Sequence, residues 1–244
     1  MLPRRAGTTG LRARGRPAGV DVYPVAMRNE AERSLVALEP GMQTALGQAW
    51  ASIRGGSLGI GAAAYEVDGT FVASGRNRLL ETDPGDDVLA GSSLAHAELN
   101  VLAKLGYRRH DSLRLFTTLQ PCVQCLGAIR LSTVATVVVL APDPLFRGVE
   151  RMRELTPFLG RSWPAIEQLP ITPWSAFALL YPTRHSLDHP TLGPVWTQAL
   201  PTTAEVARAA PAAIGDTESM LDAAALLWDQ LELCVPEITT LAST

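Results

Sequence analysis

The stretch LRLFTTLQPCVQCLGAIRLSTVATVVVL, residues 113–140, decides the fold. Leu113 to Leu119 reads as a strand. Pro121 then stands where a helix should begin, at the position where a missing N–H costs nothing. Cys122 and Cys125 are i and i+3, so they share one face of that helix. A helix N-terminus favours negative charge, and therefore thiolates over thiols. Val134 to Leu140 is a continuous apolar, β-branched run, as in a strand buried on both faces. Strand, helix, strand in this order implies a right-handed parallel crossover.

Working outward towards the N-terminus, Leu94 to Leu105 is a helical stretch closed by Gly106, and it opens with His96-Ala97-Glu98. Helical residues i and i+2 point about 200° apart. His96 and Glu98 therefore converge only if they lie at the very first turn. Residues 78–93 form a long loop with Glu81, Asp83, Asp86 and Asp87 around Pro84-Gly85. Before it, Ile60 to Val67 and Thr70 to Ser74 read as two strands. Asp68-Gly69 between them is a pair favoured by two-residue type I′ hairpins. Residues 42–54 read as a helix, with Leu46, Ala49, Trp50 and Ile53 on one face and Gly55-Gly56 as its stop.

After Asp143-Pro144, Phe146 to Leu155 looks helical, and residues 161–200 are broken by Pro and Trp and resist assignment. Thr202-x-x-Glu205 has the form of a capping box. Asp216 precedes an amphipathic helix carrying Met220, Leu221, Ala224, Leu227, Trp228 and Leu231, which needs a partner surface. At the other end, residues 1–26 read as a disordered basic tail, or as sequence upstream of a start at Met27. A transit peptide or a nucleic-acid arm is the alternative.

The chain has 244 residues, 47% of them hydrophobic, enough for a well-buried core plus extensions. No apolar run approaches the about 18 residues of a membrane span. Three cysteines, two of them in one C-x-x-C pair, argue against a disulfide framework and for a reducing cytoplasm. The net charge of −3 is uneven: five arginines and no acid lie in residues 1–20, leaving 16 basic against 24 acidic residues in the body. An acidic body is a poor general binder of nucleic acid, because neutralising phosphates supplies most of such affinity.

One imidazole nitrogen and two thiolates suffice to hold a zinc ion and leave its fourth position open for water. His96, Cys122 and Cys125 are the candidate ligands. Zinc lowers the pKa of bound water towards about 7, and Glu98 is placed to carry protons for it. A C-x-x-C pair alone also suits a redox pair or half of a structural zinc site. A structural site needs two more ligands at matching spacing, and Cys234, His110, His185 and His189 offer none. A redox role leaves His96-Ala97-Glu98 unexplained.

Taken jointly, His96-Ala97-Glu98 and Pro121-Cys122-Val123-Gln124-Cys125 resemble the signature of zinc deaminases. The segment 58–143 resembles the cytidine-deaminase-like superfamily, within it the branch of bacterial tRNA adenosine deaminases, guanine deaminases and related small-molecule deaminases. The shared run comprises Gly61-Ala62, Gly75-x-Asn77-Arg78, Ala95-His96-Ala97-Glu98 and Thr118-Leu119-Gln120-Pro121-Cys122-x-x-Cys125. The resemblance implies an α/β fold: a three-layer α/β/α sandwich around a mixed five-stranded sheet, with a helical C-terminal extension. It sets a zinc deaminase domain at 27–160 and an extension at 161–244 that packs on the domain or on a partner subunit. It also implies a homodimer. Asn77 would bond the substrate, the Ala97 N–H would meet the heterocycle or the attacking oxygen, and Leu58, Gly59 and Ile60 would lie beneath the ring. In bland terms Asn77 ends a strand in a turn, and Leu58 and Ile60 are core.

The chain also departs from the tRNA-editing pattern. Gln120 stands where Glu is usual, Gly59 where Pro is usual, and Gly91-Ser92-Ser93-Leu94 replaces Asp-Pro-Thr. A basic C-terminal helix is missing, and the acidic residues 81–87 near the expected mouth would repel a polyphosphate chain. The second zinc pattern of deoxycytidylate deaminases is not evident. The expected activity is therefore hydrolytic release of ammonia from a small amino-heterocycle: a nucleobase, a nucleoside or a related metabolite. The alternatives are tRNA adenosine-to-inosine editing and a zinc-stabilised scaffold without turnover.

Overall fold

In the computed structural model the described residues are 25–107 and 109–243. The expected tail lies outside them as far as residue 24. The crossover read from residues 113–140 is present. Strand β3 (Leu113–Thr117) leads through helix α4 (Val123–Leu131) to β4 (Thr136–Val139), which pairs parallel to β3 with Leu115 opposite Val137 and Phe116 opposite Val138. Strands β1 (Gly61–Glu66) and β2 (Phe71–Arg76) form the hairpin, and β1 pairs antiparallel with β3. A last strand, β5 (Ala165–Gln168), adds parallel to β4, giving the order β2-β1-β3-β4-β5. The sheet is thus mixed and five-stranded, and it runs past residue 160.

The hairpin turn differs from the two-residue type I′ form. The Gly69 N–H bonds the Glu66 carbonyl, the Glu66 N–H bonds the Thr70 carbonyl, and within the turn only Gly69 has a positive φ, of 88°. Type I′ needs two such residues. Three residues therefore form the loop, with glycine alone in the left-handed conformation.

Both faces of the sheet are covered. On one, Ala62, Ala64, Leu115, Val137 and Val139 meet helix α3 (Ala97–Lys104) and α4 through Ala97, Val101 and Ile129. On the other, Ala63, Phe116 and Val138 meet Met42, Ala45 and Leu46 of helix α2 (Pro40–Arg54). Strand β1 is built of Gly and Ala because α2 lies so close. A Cβ on Gly61 would stand 2.0 Å from the Ala45 carbonyl oxygen.

The segment that resisted reading is helical. After a short 3-10 turn at Val149–Glu154, in place of the longer helix expected over 146–155, and one turn of helix α5 (Pro157–Gly160), the chain forms α6 (Pro173–Leu187), α7 (Leu192–Ala199), α8 (Pro201–Ile214) and α9 (Met220–Ala242). Leu227, Trp228 and Leu231 are buried in α9, which packs on α6, on α8 and on α1 (Val25–Val36). These helices share one hydrophobic core with the α2 face of the sheet, running from Phe116 and Trp50 through Phe177 and Trp174 to Trp228. Trp50 and Trp174 fix the join, their indole N–H groups bonding the Glu218 and Ala31 carbonyls at 2.7 and 3.3 Å.

The expected capping box at Thr202 is absent, because α8 begins at Pro201. A carboxylate from α9 does the work instead: Glu237 accepts the Thr202 and Thr203 N–H groups at 3.0 and 2.6 Å. Among the described residues, no helix is long and apolar enough to cross a membrane.

Candidate active site

Two helix starts meet at one point. His96 is the N-cap of α3, in extended conformation (φ −79°, ψ 154°), with Ala97 the first helical residue and Glu98 the second. Because His96 lies outside the helix, the divergence of i and i+2 does not apply, and its ring and the Glu98 carboxylate turn to the same place. Cys122 is likewise the N-cap of α4, extended at φ −69° and ψ 173°. Pro121 therefore precedes the helix rather than opening it. Cys125 is the third helical residue. Neither cap residue's side chain caps its own helix by a hydrogen bond.

The His96 Nδ1 lies 3.3 Å from Cys125 Sγ and 3.6 Å from Cys122 Sγ, and one ligand atom from each residue falls within 4.8 Å of the others. Zinc bonds of about 2.3 Å to sulfur and about 2.0–2.1 Å to nitrogen set a tetrahedral N···S edge near about 3.6 Å. The donor set and its spacing fit zinc, and three protein ligands leave a fourth position.

Glu98 is 3% exposed. Thr117 Oγ1 donates to its Oε1 at 3.1 Å, and the Cys125 thiol donates to its Oε2 at 3.4 Å. Burial raises its pKa, with His96 pulling the other way. The Cys122 thiol is lowered to about 4, first by the Cys125 thiol beside it and then by His96. Cys125 is raised, first by the same pairing and then by burial. The bond to Cys122 raises His96.

Beside the cluster lies a cavity of about 230 Å³. His96, Glu98 and Cys122 line it, as do Leu58, Ile60 and Asn77. The sequence pointed to each of these. Ala97 does not line it: its side chain is buried in the sheet core, while its N–H, at the first helical position, has no acceptor within the helix. Asn77 is 1% exposed. Its Oδ1 accepts from Leu79 N–H at 3.1 Å and Ser57 Oγ at 2.8 Å, which leaves the Nδ2 donor without a partner. Two larger hollows, about 640 Å³ along α1 and about 600 Å³ beside Arg147 and Arg151, contain none of the ligand triad.

The remaining walls were not foreseen. Asp143, Leu145 and Phe146 form one, and the extension supplies another through Pro182, His185 and Ser186 of α6 and Leu192 and Trp196 of α7. Asp143 is buried, and burial raises its pKa to about 7, with the Cys122 and Glu98 charges adding. Gln120, noted only as a departure, ties this wall in place. Its Oε1 accepts from Asp143 N–H and its Nε2 donates to the Phe146 carbonyl, at 3.1 and 3.2 Å. The Asp143-Pro144 turn was the only sequence signal for that wall. Trp196 had none.

The acidic loop 78–93 does not line this cavity, and two of its four acids are paired. Glu81 bonds Arg76 and Arg78, and Asp87 bonds Arg78 and Lys104, at 2.7–2.8 Å. Three cations hold those two part-buried carboxylates, while Asp83 and Asp86 remain exposed.

Residues 37–141 match the family described as the cytidine and deoxycytidylate deaminase zinc-binding region. The chain is similar to the cytosine deaminase of Candida albicans, at 30% identity over 115 residues, 46% of this chain and 71% of that one. It is similar to the tRNA-specific adenosine deaminase of Bacillus subtilis, at 36% over 107 residues, 42% of this chain and 61% of that one. The latter match thus spans less than two thirds of its relative. Among solved structures, a guanine deaminase from Nitrosomonas europaea overlays 71% of this chain and 99% of its own, at 22% identity and a TM-score of 0.46.

Proposed function

The chain belongs to the cytidine-deaminase-like family, zinc-dependent hydrolases of C–N bonds in cyclic amidines, and from that premise we propose that it releases ammonia from a small amino-heterocycle: a nucleobase, a nucleoside or a related metabolite. The observation that carries the substrate size is the cavity. At about 230 Å³, it has His96, Glu98 and Cys122 on one wall and the extension on another. That lies below the about 300–1,000 Å³ of drug-sized sites, so it suits a small ring system.

In this reading His96, Cys122 and Cys125 hold the zinc ion. Zinc, when bound, supplies the Lewis acidity that makes water a nucleophile near neutral pH. Glu98 removes the proton of the attacking water, protonates the ring nitrogen next to the attacked carbon, and later gives a proton to the leaving amine. The amidine and water become a ring carbonyl and ammonia. A carboxyl whose pKa is raised by burial is matched to both taking and giving a proton. Thr117 fixes its orientation. Asn77 offers its unpaired amide N–H to a ring acceptor, the Ala97 N–H serves as a backbone donor, and Leu58 and Ile60 pack against the ring.

Relatives named as tRNA-specific deaminases keep tRNA editing as the alternative. With the α6–α7 wall flanking the cavity, a tRNA base would have to be flipped past it to reach Glu98. A scaffold without turnover is the other alternative. The homodimer implied by the resemblance is proposed as the assembly. Cys122, Cys125 and Cys234 are all free, which suits a reducing cytoplasm.

The test is an ammonia-release panel of adenine, guanine, cytosine, their nucleosides, pterin-like amines and tRNA, run on chain carrying about one zinc. Turnover of a small member with none on tRNA supports the proposal. Zinc-loaded chain that releases ammonia from none sinks it, and activity confined to tRNA moves the function to editing.

A further inference from the structure

The extension's share of the cavity supports an inference about substrate class, which rests on the deaminase reading above. Trp196 of α7 lines the cavity and is 1% exposed, and its indole N–H meets no acceptor. The other core tryptophans separate the cases. Trp50 and Trp174 give their N–H groups to the Glu218 and Ala31 carbonyls, and Trp228 lacks a partner but does not line the cavity. Among the described residues, Trp196 is the tryptophan that both lines the cavity and carries an unpaired indole donor. The same cavity holds a second such donor, Asn77 Nδ2. The Ser186 hydroxyl beside them is already bonded to the Pro182 carbonyl at 2.9 Å.

Buried donors are nearly always paired in a folded chain, and one left over calls for an explanation. Here two are left over on residues that line one small cavity, beside His96, Glu98 and Cys122. We propose that the Trp196 indole N–H is a specificity-determining donor that bonds an acceptor on the heterocycle, a ring carbonyl oxygen or ring nitrogen, away from the reacting carbon. Glu98 serves the ring nitrogen next to that carbon, so Asn77 and Trp196 need acceptors of their own. The substrate is then an oxo- or poly-aza amino-heterocycle, not a simple aminopyridine. A site built around hydrogen bonds to its substrate discriminates sharply against analogues that lack them.

The experiment compares the full zinc-loaded wild-type chain with Trp196→Phe, which keeps an aromatic ring and removes the N–H. Each is assayed on the panel member that wild type deaminates best and on analogues lacking one ring nitrogen or ring carbonyl. For Trp196→Phe the expected KM is about 5- to 10-fold higher with kcat within about 2-fold. One analogue should lose about the same factor on wild type and nothing further on the variant, the signature of a direct pair. Without ligand, the variant should melt lower only by what the smaller buried ring costs in packing, with kcat preserved. An unchanged KM with wild type active overturns this inference and leaves the deaminase reading intact. A lowered melting temperature with KM and kcat both altered, and no analogue coupling, makes Trp196 structural and also overturns it. Should the variant not fold, the wild-type analogue series decides: equal KM values throughout overturn the proposal. If wild type neither deaminates nor binds any panel member, measured by calorimetry with Glu98→Ala, both readings fall.

Discussion

Glu98 keeps Thr117 on one carboxylate oxygen and the Cys125 thiol on the other, and almost no water reaches it. Glu98→Gln preserves the shape and the bond from Thr117 but cannot exchange a proton. Elemental analysis should still find about one zinc per chain, while ammonia release falls about 10²- to 10⁴-fold. Full activity in that variant would remove the proton-carrier role. Asp143 supplies a pH signature for the metal-free chain. Burial lifts its pKa from 3.8 to about 7. Between those values the folded chain holds a proton that the unfolded chain has released. Stability therefore falls as pH rises through the window, by up to about 1.4 kcal/mol per unit for one proton. The contribution is complete below the unfolded value and gone above the folded one. Asp143→Asn keeps an oxygen for the Leu145 N–H, which the aspartate accepts at 2.8 Å, and should flatten that slope in urea titrations. An unchanged slope assigns the proton elsewhere. The triad and Glu98 were legible in the sequence because their chemistry is carried by spacing alone. Asp143 and Trp196 were not, because nothing local to either residue says that a turn and a distant helix bring it to the same cavity.

At the scale of elements, α3 carries His96 and Glu98 only as accurately as it rests on β2. That seat is Gly75. A Cβ there would meet the Ala97 carbonyl oxygen, Asn100 Cβ and Val101 N, each at 2.9 Å. Gly75→Ala should cost about 1–3 kcal/mol in denaturant titrations. By displacing α3 it should also weaken zinc in competition with a chelator. Loss of stability with unchanged zinc affinity would show that the two helix starts move together. The start of α8 offers a simpler case. Glu237→Ala removes the acceptor for two backbone N–H groups and the Thr203 hydroxyl. A loss of about 1–2 kcal/mol, measured by denaturation, is expected from the missing cap. Which elements the sequence revealed follows from how they are buried. Helix α2 and the core of α9 show one apolar face and were read. Helix α6 is buried continuously from Trp174 to Leu180 and contains Pro182, so it shows neither amphipathic period nor uninterrupted helix former. Pro211 and Pro236 interrupt α8 and α9 in the same way. The cap of α8 could not be read at all, because its acceptor comes from 34 positions away.

The whole molecule has a core that passes from the sheet's α2 face into the extension without a break. Heat should therefore unfold the chain in one transition, with calorimetric and van't Hoff enthalpies in agreement. A chain cut after β5 should not fold, because Phe177, Trp174 and Trp228 would leave Trp50 and its neighbours uncovered. Two resolved transitions, or a folded fragment, would contradict this. At the opposite side of the sheet, α3 and α4 each begin at a residue that makes no capping bond of its own, His96 and Cys122. The first N–H groups of a helix need acceptors from elsewhere. Because the same two residues could hold the metal, a bound ion would clasp both helix beginnings to each other. Amide exchange at Ala97–Asn100 and Val123–Cys125 should slow sharply on metal loading while the α6–α9 helices exchange as before. The two helix starts would then be held from both sides, by the sheet core beneath them and by the ion between them.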